Sequence, residues 1–269
     1  MKNLLLILGF VFLFQTGEKH ERILKLDISV SQIEPDASGN FYVVEGNKIS
    51  MYSPAGELEY SYSNYFTTKL HNIDVSNPDK ILLFYRQDQK ITLLNQYFRT
   101  EPEPFFLQEK GYENITAACL STDDNVWVFD EKQQVLIKLT DAGEFITRGK
   151  SPGESLGETV DPSFMAASRD RIYLSDPRLG ILVFDAVGNY LETLPLKGVV
   201  HFRPDNGKLF FVTGKQARIY NLDTGKETSV EMPHNRYKTA TFDIRGKNMI
   251  LYLADPNKLD ILEMPFVEN

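Results

Sequence analysis

The sequence predicts an all-β fold: a six-bladed β-propeller closed by an N-terminal strand that completes the last blade. Three observations carry this. A strand–turn–strand pattern recurs six times along the chain, about 42 residues apart. The strands are short and rich in aromatic and β-branched residues, and Gly, Asn, Asp and Pro cluster between them. No segment holds the i, i+3, i+4, i+7 apolar spacing of a helix.

The second strand of each unit anchors the alignment. These are FYVV (41–44), ILLFY (81–85), VWVFD (126–130), IYLSD (172–176), LFFV (209–212) and LYLAD (251–255). Taking Tyr42, Leu83, Trp127, Tyr173, Phe211 and Tyr252 as equivalent, the steps are 41, 44, 46, 38 and 41 residues. First strands are expected to start near Ile33, Ile73, Ile115, Phe164, Val200 and Ala240. Turns such as DASGN, NPDK and TDDN supply the geometry of tight hairpins. Between third and fourth strands stand SPAG, TDAG, DAVG and LDTG, where the glycine is constant and the carboxylates are not. Asp141 and Glu144 are therefore expected at a hairpin corner, with Gly143 at positive φ, and not as an acid/base pair.

A single four-stranded sheet cannot bury both faces. Radial stacking against two neighbours buries both and closes the ring. Five units show a fourth strand, and the sixth stops after its third, DILEMPF. ILKLDI (23–28) alternates apolar and polar residues and is expected to supply the missing outer strand.

The opening MKNLLLILGFVFLFQTGEKHE has Lys2, then an apolar run from Leu4 to Phe14, then polar residues. That is the form of a secretory signal over 1–17, too short to span a bilayer. The propeller domain is expected over 18–269, exported to the periplasm or outside the cell, with no transmembrane helix in the mature chain. Net charge is −8 and lysines and arginines are scattered, which argues against a nucleic-acid partner. Cys119 is the only cysteine, so neither an intrachain disulfide nor a thiolate metal cluster is expected.

The segment 151–195 resembles an NHL repeat: Gly153 and Gly157 in a Gly-rich loop, Pro162 before the inner strand, the Arg169–Asp170 turn, Tyr173–Asp176, and Val183–Gly188. Residues 113–146 are similar but lack the Gly-rich loop. The resemblance implies a six-bladed ring and leaves function open, because such rings host binding proteins and enzymes alike. The acids of its long loop, Glu154, Glu158 and Asp161, are a minor metal or partner candidate.

Propeller ligands usually sit at one end of the channel, where outer strands lead into inner ones. The residues just before or at those inner strands are Gln32, Asn72, Asn114, Ser163, Val199 and Thr239, five of them neutral and polar. They suit hydrogen bonding to a polar ligand, or equally to loop backbone. His71, His201 and His234 fall towards the same end and would form an alternative site for one divalent metal. A lactonase-type set would draw on Glu34, Asn114 and Asp243. Tyr65 and Phe66 would anchor a protein partner if exposed. No nucleophile elbow, zincin motif or P-loop occurs. The expectation is a non-catalytic, cofactor-free binder of protein, peptide or glycan, monomeric unless it serves an envelope assembly. The binding set is Gln32, His71, Asn72, Asn114, Ser163, His201 and Thr239. The alternative is a metal-dependent lyase or hydrolase.

Overall fold

The computed structural model describes residues 20–64, 68–233 and 237–267. It is a six-bladed β-propeller of four-stranded antiparallel blades. Blade 1 comprises β2 (Gln32–Pro35), β3 (Phe41–Glu45), β4 (Lys48–Tyr52) and β5 (Leu58–Ser63). Blade 2 comprises β6 (Asn72–Asn77), β7 (Lys80–Tyr85), β8 (Lys90–Asn95) and a two-residue outer strand, β9 (Phe105–Phe106). Blade 3 comprises β10 (Ile115–Leu120), β11 (Val126–Asp130), β12 (Val135–Leu139) and β13 (Phe145–Arg148). Blade 4 comprises β14 (Phe164–Ser168), β15 (Arg171–Asp176), β16 (Gly180–Asp185) and β17 (Tyr190–Leu194). Blade 5 comprises β18 (Arg203–Asp205), β19 (Lys208–Thr213), β20 (Gln216–Asn221) and β21 (Glu227–Glu231). Blade 6 runs from the inside out as β22 (Thr239–Arg245), β23 (Asn248–Asp255), β24 (Lys258–Pro265) and β1 (Glu21–Leu26).

The ring therefore closes as expected, with β1 antiparallel to β24 in the register Leu26↔Leu259 and Glu21↔Glu263, and a bulge at Ile23. The expected signal segment, 1–17, lies outside the described residues. No described helix is long and apolar enough to cross a membrane.

Strands buried on both faces read as continuous apolar runs. In β7, Ile81, Leu83 and Tyr85 pack towards blade 1, while Leu82 and Phe84 pack towards blade 3. Six such clusters fill the six blade–blade interfaces. Cys119 is fully buried in one of them, and burial raises its pKa well above the usual thiol value.

The corner glycines have two roles. Gly143 has φ +81°, and a Cβ there would meet Phe105 of the preceding blade at 2.7 Å. Thr140 caps this corner by accepting from the backbone N–H groups of Ala142 and Glu144. Glu144 pairs outward with Lys110, and Asp141 with Lys80. Blade 2 has the same corner over Asn95–Phe98, with Phe98 at φ +59° in the glycine's place. Its ring stacks on Tyr42 and Tyr60 at 6.2 and 5.9 Å, which offsets the strain.

Blades are tied by a recurring amide. Asn47 accepts from the N–H of Leu70. Gln89 accepts from the N–H of Ile115 and donates to its carbonyl, and Gln134 does the same at Val160. Each amide ends the second turn of one blade and holds the chain entering the next.

The first strand of blade 5 begins at Arg203, three residues after the expected Val200. The intervening Phe202 is buried edge-on against Phe164, and its packing replaces strand pairing there.

Asp176, which closes the NHL-like strand, is fully buried. Burial pushes its pKa up, but Arg178 and the N–H groups of Asp161 and Arg178 outweigh this and leave it below the usual carboxylate value. The unfolded chain therefore binds the proton more readily. The stabilisation is present above the ordinary value of 3.8 and is lost as pH falls through the folded value. Asp176→Asn is expected to cost about 2 kcal/mol at pH 7. It should also flatten the acid limb of a plot of urea midpoint against pH. An unchanged acid limb would remove Asp176 as its source.

Candidate functional site

Every inner strand starts at one end of the channel, which places the expected mouth residues in one ring. Most of them stitch blade to blade. Gln32 Nε2 lies 3.3 Å from Asn72 Oδ1, and Asn72 Nδ2 lies 3.3 Å from the carbonyl of Ala118. Ser163 Oγ donates to Val200 O at 2.9 Å, and Thr239 Oγ1 to Ser31 O at 3.5 Å. The Val199 carbonyl accepts from the Ser175 hydroxyl.

Two recesses bordered by Ser31 and Gln32 open at this end. The first, of about 650 Å³, is lined by His71, Arg86, Gln87, Glu113, Asn114 and Glu131, with Lys69 at its rim. The Thr116 hydroxyl in its wall is buried and has no partner among the described residues. His71 packs edge-on to Phe84 at 5.8 Å. Desolvation, then the charges of Arg86 and Lys69, lower its pKa below 6.5, so it is neutral at pH 7. Arg86 and Glu131 approach at 3.8 Å, a loose pair.

The second recess, of about 450 Å³, is lined by Glu34, His201, Tyr237 and Thr239. His201 Nε2 sits 2.8 Å from Glu34 Oε1, close enough for an ion pair but without the alignment of a hydrogen bond. The His201 ring leans on Phe164 with centroids 4.0 Å apart. The pair links the chain entering blade 5 to β2 of blade 1, and Glu34 also borders a further cavity in the channel.

His71 and His201 thus line different recesses, and His234 lies outside the described residues, as do Tyr65 and Phe66. Among the described residues, no three His, Cys, Asp or Glu side chains are grouped to hold a metal ion. Glu34, Asn114 and Asp243 are likewise divided: Asp243 pairs with Arg203 at 2.8 Å and Arg245 at 3.4 Å. In the long loop, the N–H of Asp161 is held by Asp176 and Glu158 is exposed.

Lys69 and Arg86 were not singled out from sequence. They lie in a connecting loop and a hairpin turn, where lone cations carry no spacing signal. A third cavity, of about 450 Å³, lies at the opposite end, where the inner strands finish. It also has no sequence signal, because its residues come in short stretches from five separate blades.

No known protein-family pattern matches the chain, and no curated protein sequence does. Solved structures are similar in fold. A streptogramin B lyase is 16% identical, with 91% of this chain and 97% of that chain covered and a TM-score of 0.60. A catalytically inactive variant of virginiamycin B lyase from Staphylococcus aureus, with quinupristin, is 14% identical over 93% of this chain and 100% of that one, TM-score 0.60. BBS1N in complex with ARL6DN is 13% identical over 86% and 76%, TM-score 0.52. At these identities the likeness establishes the propeller fold alone.

Proposed function

We propose that this chain is an exported, NHL-like propeller that binds a protein, peptide or glycan where the inner strands begin, without catalysis or a cofactor. The observation that carries the reading is the recess around His71 and Asn114. It is large, opens to solvent, and offers donors, acceptors and both charges over an unpartnered buried hydroxyl. Such a surface matches peptide groups or sugar hydroxyls. The signal-like opening of the chain supports export. Similar folds include one held in complex with another protein.

Peptide and glycan arrays probed with the wild type and with Asn114→Trp, which fills the recess, test this. The expected result is retention of ligands by the wild type and at least tenfold weaker binding by the variant. An array on which the wild type holds nothing, or holds everything as well as the variant does, removes the reading.

A second reading, an enzyme with one divalent metal, has a specific observation in its favour. A carboxylate, Glu34, stands 2.8 Å from the His201 imidazole at the wall of a recess, the pair of groups from which acid–base chemistry is built. The lyases of similar fold make the reaction class concrete. Stoichiometric metal in the purified protein, lost in His71→Ala or His201→Ala, together with turnover of virginiamycin B, would favour it over binding.

A further inference from the structure

The cavity at the far end of the channel is chemically unlike the mouth. Its walls combine the rings of Phe164 and Phe202, in edge contact at 5.3 Å, with Leu120, Val75 and Ala166. Glu34 and Asp74 stand among them, 5% and 8% exposed. Asp74 accepts from Leu120 N at 2.8 Å and Ser76 N at 2.9 Å, and burial, with the charge of Glu34 beside it, raises its pKa above the usual carboxylate value, a cost that a cation placed next to it would relieve. Glu34 uses Oε1 on His201 and Gln32, while Oε2 has no partner among the described residues.

The rim adds Asp36, Asp124 and Asp205 against Arg169 and Arg203. Arg203 is already engaged by Asp243, Asp205 and the face of Phe210. Asp36 is turned into its own hairpin and towards Tyr42. Acids outnumber guanidiniums along the cavity; Glu34, Asp36 and Asp74 are buried, while Asp124 and Asp205 stand at its more exposed rim. Uncompensated buried charge is costly, and a ligand carrying the opposite charge relieves that cost.

We propose that this cavity binds an organic cation: an ammonium or guanidinium held between Glu34 Oε2 and Asp74, its apolar body lying against Phe164 and Phe202. Carboxylates supply the charge complement and the ring faces add cation–π attraction. The geometry suits a small amine and the tip of a Lys or Arg side chain from a partner equally. Asn114 lines the mouth recess and not this cavity, so filling that recess leaves this cavity open.

The test is calorimetric titration of the purified chain with benzylamine, with neutral benzyl alcohol as the matched control, and with an N-acetylated lysine-containing tripeptide. Benzylamine is expected to bind and benzyl alcohol to bind at least tenfold more weakly. Glu34→Gln should weaken benzylamine at least tenfold while Asn114→Trp leaves it unchanged. Tighter binding of the tripeptide than of benzylamine points to a protein side chain as the source, and the reverse to a small amine. Because Glu34→Gln also touches His201, Asp74→Asn is measured in parallel. If either variant fails to fold, the wild type in 20 mM and 500 mM salt replaces it, with affinity expected to fall at high salt. Equal binding of benzylamine and benzyl alcohol, or no binding of benzylamine, overturns the proposal.

Discussion

Replacing Gly149 by alanine is expected to lower the melting temperature by roughly 10 °C, a loss of about 3 kcal/mol or more. A Cβ at Gly149 would lie 1.8 Å from the Gly188 carbonyl oxygen and 2.3 Å from its carbon. Both are backbone atoms, so no side-chain rotation relieves the overlap. Neither segment is free to retreat. The Gly149 N–H is bonded to Leu136 O at 2.9 Å, and Gly188 closes a turn on Asp185 with Trp127 behind it. The contact joins the exit of blade 3 to the outer corner of blade 4, so forcing it apart would open that interface. Gly46→Ala is the matched control: φ there is +62° with nothing within 4 Å of the added carbon, so only backbone strain of about 1 kcal/mol is expected. Thermal melts of the two variants decide the matter. A Gly149→Ala protein melting within 2 °C of wild type would show that the blades slide past each other more freely than their packing implies.

Removing β1 is expected to be more damaging still. A chain starting at Asp27, compared with one starting at Glu18, loses the whole outer strand of blade 6. Leu24 and Leu26 leave a cluster that includes Phe41, Tyr252 and Ile261. Arg22 leaves Asp260, whose side chain is 4% exposed and keeps its contact with Lys258. Lost burial and strand pairing together amount to about 3–5 kcal/mol. The exposed edge of β24 is then free to pair with another copy, so size-exclusion chromatography should show aggregates in place of the species that the longer chain forms. A synthetic peptide of the sequence Glu21–Ile28, added during refolding, is expected to restore the elution position of the longer chain. A truncated chain that elutes as the longer one does, with an unchanged melt, would mean that the ring closes without β1.

Strands buried on both faces must be apolar throughout, and hairpins need Gly, Asn, Asp or Pro at set places. The repeat was therefore readable at Tyr42, Trp127 and Tyr252 without coordinates. The corner at Thr140–Gly143 was legible for the same reason: local geometry restricts what can stand there. Blade 2 hid its corner because Phe98 occupies the glycine position, a choice that makes sense only beside Tyr42 and Tyr60, which come from another blade. The bonds of Gln89 and Gln134 to the next blade were invisible for a related reason, since an amide at the end of a turn looks like any polar turn residue.

The candidate sites show the same division. Alignment of the inner strands brought Gln32, Asn72, Asn114, Ser163 and Thr239 to one end, and they are there. Which of them stitch blades together and which border a recess depends on neighbours some forty residues away in the chain. The lower cavity, with Glu34 and Asp74 facing Phe164 and Phe202, is drawn from separate blades and has no linear signature at all. Periodicity and turn chemistry act within a few residues and are written into the chain directly. Pocket shape and charge balance arise between segments that meet only once the ring has closed.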